Sequence, residues 1–269
     1  MADLALALSG GGAAGLGHIP VLEGLDALGR RPVAIAGTSI GALMGAAYAA
    51  GLSGAEIRAH VMELLTSPSR AARRLWEEAR FDGLGRLLSL DARAIVSVVL
   101  PARVPRRFEE LQVPLTVVAT DFHGRAERRL SRGDLRAALA ASIAIPGVVR
   151  PVVLEGRVMV DGGVTNNLPV EALPRGPVTV AVDVASEPPS DATEVPNGLE
   201  LSLGALRILM QELLEVRLSR RPPDVLIRPP CSRFMALEFY RATEILEAAE
   251  PARAETSAAV ARVLNLREA

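Results

Sequence analysis

The first fifty residues repeat one unit, and that repeat limits the possible folds more than any other feature of the chain. Leu4 to Leu8 is a short apolar run of the kind that forms a buried strand. The glycine-rich loop Ser9 to Gly15 follows, and Leu16 to Leu28 then carries apolar residues at helical spacing. Pro32 to Gly37 is a second short apolar run, followed by Thr38-Ser39-Ile40 and the small-residue stretch Gly41 to Ala50, which stops at Gly51. Strand, tight turn and helix, twice in succession, point to parallel strands, because a parallel pair needs a crossover and a helix supplies it.

The rest of the chain extends this pattern. Leu115 to Phe122 and Val178 to Val184 read as strands, and Val148 to Val160 splits around Glu155-Gly156 as a hairpin. Asp134 to Ile143 reads as a helix. Leu199 to Leu218 and Ala236 to Leu264 read as amphipathic helices around a short strand, Val225 to Arg228. The class is therefore α/β, with a central, mostly parallel sheet covered by helices on both faces. Residues 53–107 read as a helical cap inserted into a single domain spanning 1–269, and Ser186 to Gly198 as an exposed loop.

Composition excludes several function classes. Thirty basic residues against thirty-one acidic ones give a net charge of -1, and aromatics make up 3% of the chain, so neither a basic field nor stacking platforms favour nucleic acid. Cys231 is the single cysteine, which rules out an internal disulfide and any cysteine-based zinc spacing, and fits a reducing compartment. The start of the chain shows no secretion signal. Its apolar stretches break before the roughly 18 residues that a membrane span requires. The expected location is cytoplasmic, with peripheral membrane association open.

Three segments carry chemistry. Gly37-Thr38-Ser39-Ile40-Gly41 fits G-x-S-x-G between an expected strand and an expected helix, where a serine sits on a strained turn with its hydroxyl presented outward and a helix N-terminus behind it. The alternative is a serine that merely caps the helix. Gly10, Gly11 and Gly12 supply backbone N–H groups without side chains to block an approaching anion. Gly10, Gly12 and Gly15 also fit the dinucleotide-binding G-x-G-x-x-G. That site wants a carboxylate at the end of the next strand, about 20 residues on, and Gly37-Thr38-Ser39 stands there instead. An oxyanion-binding loop is the better assignment. Asp161-Gly162-Gly163 places a carboxylate at a strand end, held by two glycines that allow a sharp turn, and by itself it reads as a common turn.

Together, and in this order, the three segments resemble the patatin-like phospholipase family, whose marks are a glycine-rich oxyanion loop, a G-x-S-x-G serine and a D-G-G or D-G-A aspartate. Thr120-Asp121, Ala141 to Gly147, Pro151 and Asn167-Leu168-Pro169 are similar to intermediate blocks of its bacterial members. The resemblance covers most of residues 4–185. It implies a three-layer α/β sandwich and a Ser-Asp dyad without histidine, with Ser39 as nucleophile, Asp161 as base and Gly10, Gly11 and Gly12 as the oxyanion hole. Many members carry Arg or Lys at the loop position held here by Ala14.

The implied activity is hydrolysis of carboxylic esters in lipids, with no cofactor and no metal. The partners are a lipid or ester substrate and a membrane surface met peripherally. An acyltransferase or thioesterase on the same dyad, and a catalytically weak membrane-peripheral regulatory protein, are the alternatives. The arginine-rich stretch Arg70 to Arg80, with Leu75, Trp76 and Phe81, suits either anionic headgroups or plain solvation. Among the remaining titratable residues, His18 suits packing or support of the glycine loop. His60, His123, Asp121 and Asp183 suit caps, turns and exposed positions, and Cys231 has no activating partner in sequence.

Overall fold

A computed structural model describes residues 2–66, 90–186, 195 and 198–268; the Arg70 to Arg80 stretch and most of the Ser186 to Gly198 loop lie outside the described residues. Eight strands form one mixed sheet: β1 (Leu4–Leu8), β2 (Ala34–Thr38), β3 (Leu115–Asp121), β4 (Ala126–Leu130), β5 (Val152–Leu154), β6 (Arg157–Asp161), β7 (Val178–Val182) and β8 (Val225–Ile227). The described helices are α1 (His18–Ala27), α2 (Ile40–Ala49), α3 (Gly54–Thr66), α4 (Ala92–Val99), α5 (Leu135–Ser142), α6 (Gly198–Arg220), α7 (Ala242–Ala249) and α8 (Pro251–Glu268).

Alternation along β1 explains the layering. Its sequence is Leu-Ala-Leu-Ala-Leu, so Leu4, Leu6 and Leu8 face one side and Ala5 and Ala7 the other. The leucines join Ile35, Val117, Val180 and Val182 in the larger core, where α1, α2, α5, α7 and α8 pack. Each fully buried leucine there contributes about 1.5–3 kcal/mol. The alanines, with Ala36 and Ala181, face a thinner layer built from Leu168, Val170 and Leu173 and from Leu214 and Leu218 of α6. Small side chains on that face let the 166–173 segment lie close to the sheet beside the strand ends.

Strands β8, β7, β1, β2 and β3 run parallel, while β4, β5 and β6 are antiparallel to their neighbours. One detail of register brings distant residues together. Val117 pairs with Leu130 of β4 and with Gly37 of β2, so β2 lies on the edge of β3 opposite β4. Ala119 pairs with Arg128 of β4 and with Asp161 of β6, which puts β6 on that same edge. Strand β2 stops at Thr38, opposite Val118, and β6 arrives from the other direction and stops at Asp161, opposite Ala119. The two strands meet end to end, and Ser39 follows one while Asp161 closes the other.

The sheet class, the helices on both faces and the hairpin at Glu155-Gly156 match the sequence expectations. The stretch expected as one helix from Ala236 to Leu264 is α7 and α8, interrupted before Pro251, which lacks the N–H that would continue a helix but suits a first helical turn. Strand β4 was not expected. Its sequence, Ala-Glu-Arg-Arg-Leu, is half-exposed, so no apolar alternation marks it.

Candidate active site

Ser39 occupies the N-cap position of α2 with φ 54° and ψ -125°, a left-handed conformation that costs a non-glycine residue about 1–3 kcal/mol. Its side chain makes no capping bond. The hydroxyl instead donates to Asp161 Oδ2 at 2.6 Å, within the range of a charge-assisted O–H···O⁻ bond. The strained backbone is held from both sides. The Ser39 N–H donates to Ser142 Oγ at 2.8 Å, and its carbonyl accepts from Ala42 at 2.9 Å and Leu43 at 3.2 Å. Close approach explains the glycine two residues on, because any Cβ at Gly41 would overlap the Leu8 and Ser9 carbonyl oxygens.

Asp161 has two roles in the geometry. Its Oδ1 accepts the Gly163 N–H at 2.8 Å, which is the turn role, while Oδ2 takes the Ser39 hydroxyl. Its own N–H donates to Ala144 O at 2.9 Å and its carbonyl accepts from Thr120 Oγ1 at 3.0 Å, so the residue is fixed at every polar atom. Burial pushes the carboxyl up to about 6, against the opposing pull of the bonds from Ser39 and Gly163. A carboxylate titrating there is ionised at neutral pH and a better proton acceptor than an ordinary one.

The glycine loop lies against the same pair. A side chain at Gly10 would come within 3.2 Å of Ser39 Cβ and 2.6 Å of Asn167 Oδ1. Gly12 has φ +58°, and a Cβ there would overlap the backbone of Ala236, whose carbonyl accepts the Ala13 N–H at 2.9 Å. The three amides are not equivalent. The Gly10 N–H donates to Asn167 O at 3.1 Å, and Asn167 Nδ2 returns a long bond of 3.4 Å to Gly10 O. The N–H groups of Gly11 and Gly12 have no protein acceptor among the described residues. Asn167 thus clamps the loop to the segment after Asp161, and of the three glycine N–H groups those of Gly11 and Gly12 are the ones that this clamp leaves unengaged. Nothing local in the sequence marks this clamp, since it joins backbone atoms 157 residues apart.

His18 stands behind the loop. Its partner, the Ser9 carbonyl at 2.9 Å, can only accept, so Nε2 carries the proton. Burial lowers His18 to about 4, against that bond and the charge of Asp183, which leaves the ring neutral at pH 7. His60 bonds Val99 O at 3.0 Å, joining α3 to the end of α4, and His123 packs edge-on against Phe122. Asp121 accepts from Gly124 at 2.8 Å and from Arg157 Nη1 at 2.6 Å, and these bonds hold its carboxyl below the ordinary range. Asp183 caps Ala185 and Ser186 and pairs with Arg228 at 3.3 Å. Cys231 is buried with Sγ on Ala14 O at 3.3 Å, and burial pushes the thiol up to about 12. Ala14 is itself enclosed in the core, so the loop's polarity comes from its backbone.

A mixed sheet with helices on both faces, a serine at the turn from β2 into α2 and an aspartate turn at the end of β6 make up the patatin fold. The chain belongs to the patatin-like phospholipase family, whose sequence profile matches residues 6–174. It is similar to an uncharacterized NTE family protein of Mycobacterium bovis, 37% identical over 183 residues, which cover 67% of this chain and 49% of that one. It is also similar to human patatin-like phospholipase domain-containing protein 6, 28% identical over 280 residues, covering 91% of this chain and 19% of that one. The chain thus spans about half the length of the mycobacterial relative and a smaller part of the human one. Among solved structures, VipD from Legionella pneumophila superposes with a TM-score of 0.51 at 14% identity, over 95% of this chain and 66% of that one, a likeness of fold alone. Family membership is consistent with lipid acyl hydrolysis.

Proposed function

We propose that the chain is a serine acyl hydrolase acting on carboxylic esters of lipids, with Ser39 as nucleophile and Asp161 as general base. The observation that carries the reading is the 2.6 Å bond from the Ser39 hydroxyl to a buried carboxylate raised to about 6. Asp161 takes the Ser39 proton as Oγ attacks the ester carbonyl, and the Gly11 and Gly12 amides face the oxygen on which charge develops. The proton passes to the departing alcohol oxygen. Water, deprotonated by the same carboxylate, then attacks the acyl-serine and frees the fatty acid. Gly10 serves in this scheme through its backbone position, with its N–H engaged by Asn167.

The apolar residues flanking the site favour an acyl chain as substrate. Met210 of α6 abuts Gly163 in the aspartate turn, and exposed Ile208 and Leu209 precede it. Exposed Met235 and Leu237 flank Ala236, which lies on Gly12. No helix among the described residues is long and apolar enough to cross a membrane.

The test is release of fatty acid from dispersed phospholipids, lysophospholipids and short-chain esters by the wild type, Ser39→Ala and Asp161→Asn. The expected result is turnover of at least one ester class that falls by about 1,000-fold or more in both variants. Wild-type turnover that survives Ser39→Ala, or no turnover of any ester, would sink the proposal.

A further inference from the structure

The two members of the Ser39–Asp161 pair lie 122 positions apart, yet their backbone N–H groups end on the same short segment. Ser39 donates to Ser142 Oγ at 2.8 Å, and Asp161 donates to Ala144 O at 2.9 Å. Ser142 is the last residue of α5, and both it and Ala144 have no exposed surface. The Ser142 hydroxyl is itself oriented, because it donates to Val118 O at 2.6 Å, on the strand residue that faces Thr38 across the sheet. With its one proton committed to Val118, Ser142 Oγ has only lone pairs to offer Ser39. The Ser39 N–H is therefore engaged inside the protein, and the left-handed turn has a fixed partner where solvent cannot replace it.

We propose that Ser142 is a positioning residue of the reaction: its hydroxyl holds the nucleophile's main chain while Ala144, two residues on, holds that of the base. One rigid segment thereby sets the distance between Ser39 Oγ and the Asp161 carboxylate. This rests on the hydrolase reading above. It predicts that losing the Ser142 hydroxyl lets the Ser39 turn relax, lengthening a bond whose geometry controls the rate, since displacement of a reacting group by about 1 Å can cost roughly 100-fold.

The experiment compares Ser142→Ala and Ser142→Cys with the wild type in two measurements: the rate and final stoichiometry of labelling by a fluorophosphonate serine probe, and kcat and KM on a soluble short-chain ester. Cysteine keeps the volume but offers a much poorer acceptor. The expected result for both variants is labelling that still reaches one probe per chain but roughly 10- to 100-fold more slowly, with kcat reduced in parallel and KM changed by less than about threefold. A residue that mattered for folding alone would lower the endpoint and leave the rate of the folded fraction untouched. If Ser142→Ala does not fold, Ser142→Cys decides. A labelling rate within about twofold of wild type in a folded variant overturns the proposal. Absence of Ser39 labelling in the wild type overturns the hydrolase reading instead.

Discussion

Removing the charge of Asp161 should make the protein more stable while disabling it. With the carboxyl raised to about 6, against an ordinary value near 4, and at about 1.4 kcal/mol per pH unit, keeping Asp161 ionised in the fold costs about 3 kcal/mol at pH 8. The sign follows from linkage. Below about pH 4 the group is neutral in both folded and unfolded chains and carries no penalty, and as pH rises through 6 the folded state ionises and the wild type loses that stability. Asparagine has no charge to bury; its carbonyl oxygen can keep the Gly163 N–H while its amide donates to the Ser39 hydroxyl, which can also accept, and exchanging the charge-assisted bonds for neutral ones costs about 1 kcal/mol. The net gain for Asp161→Asn is about 2 kcal/mol at pH 8, or roughly 4–8 °C in Tm for a chain of this size. The assay is thermal unfolding followed by circular dichroism from pH 4 to 8. The Tm difference between variant and wild type should be near zero or slightly negative at pH 4, climb through pH 6 and level off by pH 7.5. A difference that stays flat across the range, or a variant less stable than wild type at pH 8, would refute the reasoning, because the carboxylate would then not be a buried, strained charge.

Three further outcomes are expected. The kcat/KM of ester hydrolysis should fall on the acid side with a midpoint at about pH 6, where Asp161 gains its proton, and a midpoint near 4 would mean that an ordinary, solvated carboxylate governs the reaction. Gly12→Ala should lose activity together with about 2 kcal/mol or more of stability, because it forces alanine into a positive φ and against Ala236; urea unfolding midpoints measure the second effect, and an unchanged midpoint would contradict the packing described. Cys231 should resist thiol reagents at pH 8 in the folded protein and react within minutes once urea unfolds it, since burial holds the thiol far above the working pH; fast modification of the native protein would contradict that burial.

The fold was legible because its signals are local. The short apolar run of β1, the small residues of α2 and the glycines at the two turns each mark an element within a few positions. The residues of the candidate site were visible for the same reason, as three motifs in a familiar order, and the structure brings Ser39, Asp161 and the glycine loop into contact. What the sequence did not reveal are the bonds that orient them. Ser142 lies in the noted Ala141 to Gly147 block, but its hydrogen bond to the Ser39 N–H spans 103 positions and leaves no periodic or compositional trace. The division of labour among Gly10, Gly11 and Gly12 was hidden likewise, because three adjacent glycines are identical in sequence and differ only in which N–H meets Asn167 O. Strand β4 was missed because polar, half-exposed residues form it, held by its pairing with β3 and not by any apolar pattern of its own.

The most direct test of the central claim, that Ser39 is a nucleophile activated by Asp161, is peptide mapping of the wild-type protein after reaction with a fluorophosphonate ester. The account predicts a single covalent adduct on the peptide carrying Gly37-Thr38-Ser39-Ile40-Gly41, absent in Ser39→Ala and formed at least about 100-fold more slowly in Asp161→Asn. An adduct on any other residue, or one that forms on Ser39 equally fast without the Asp161 carboxylate, would contradict it.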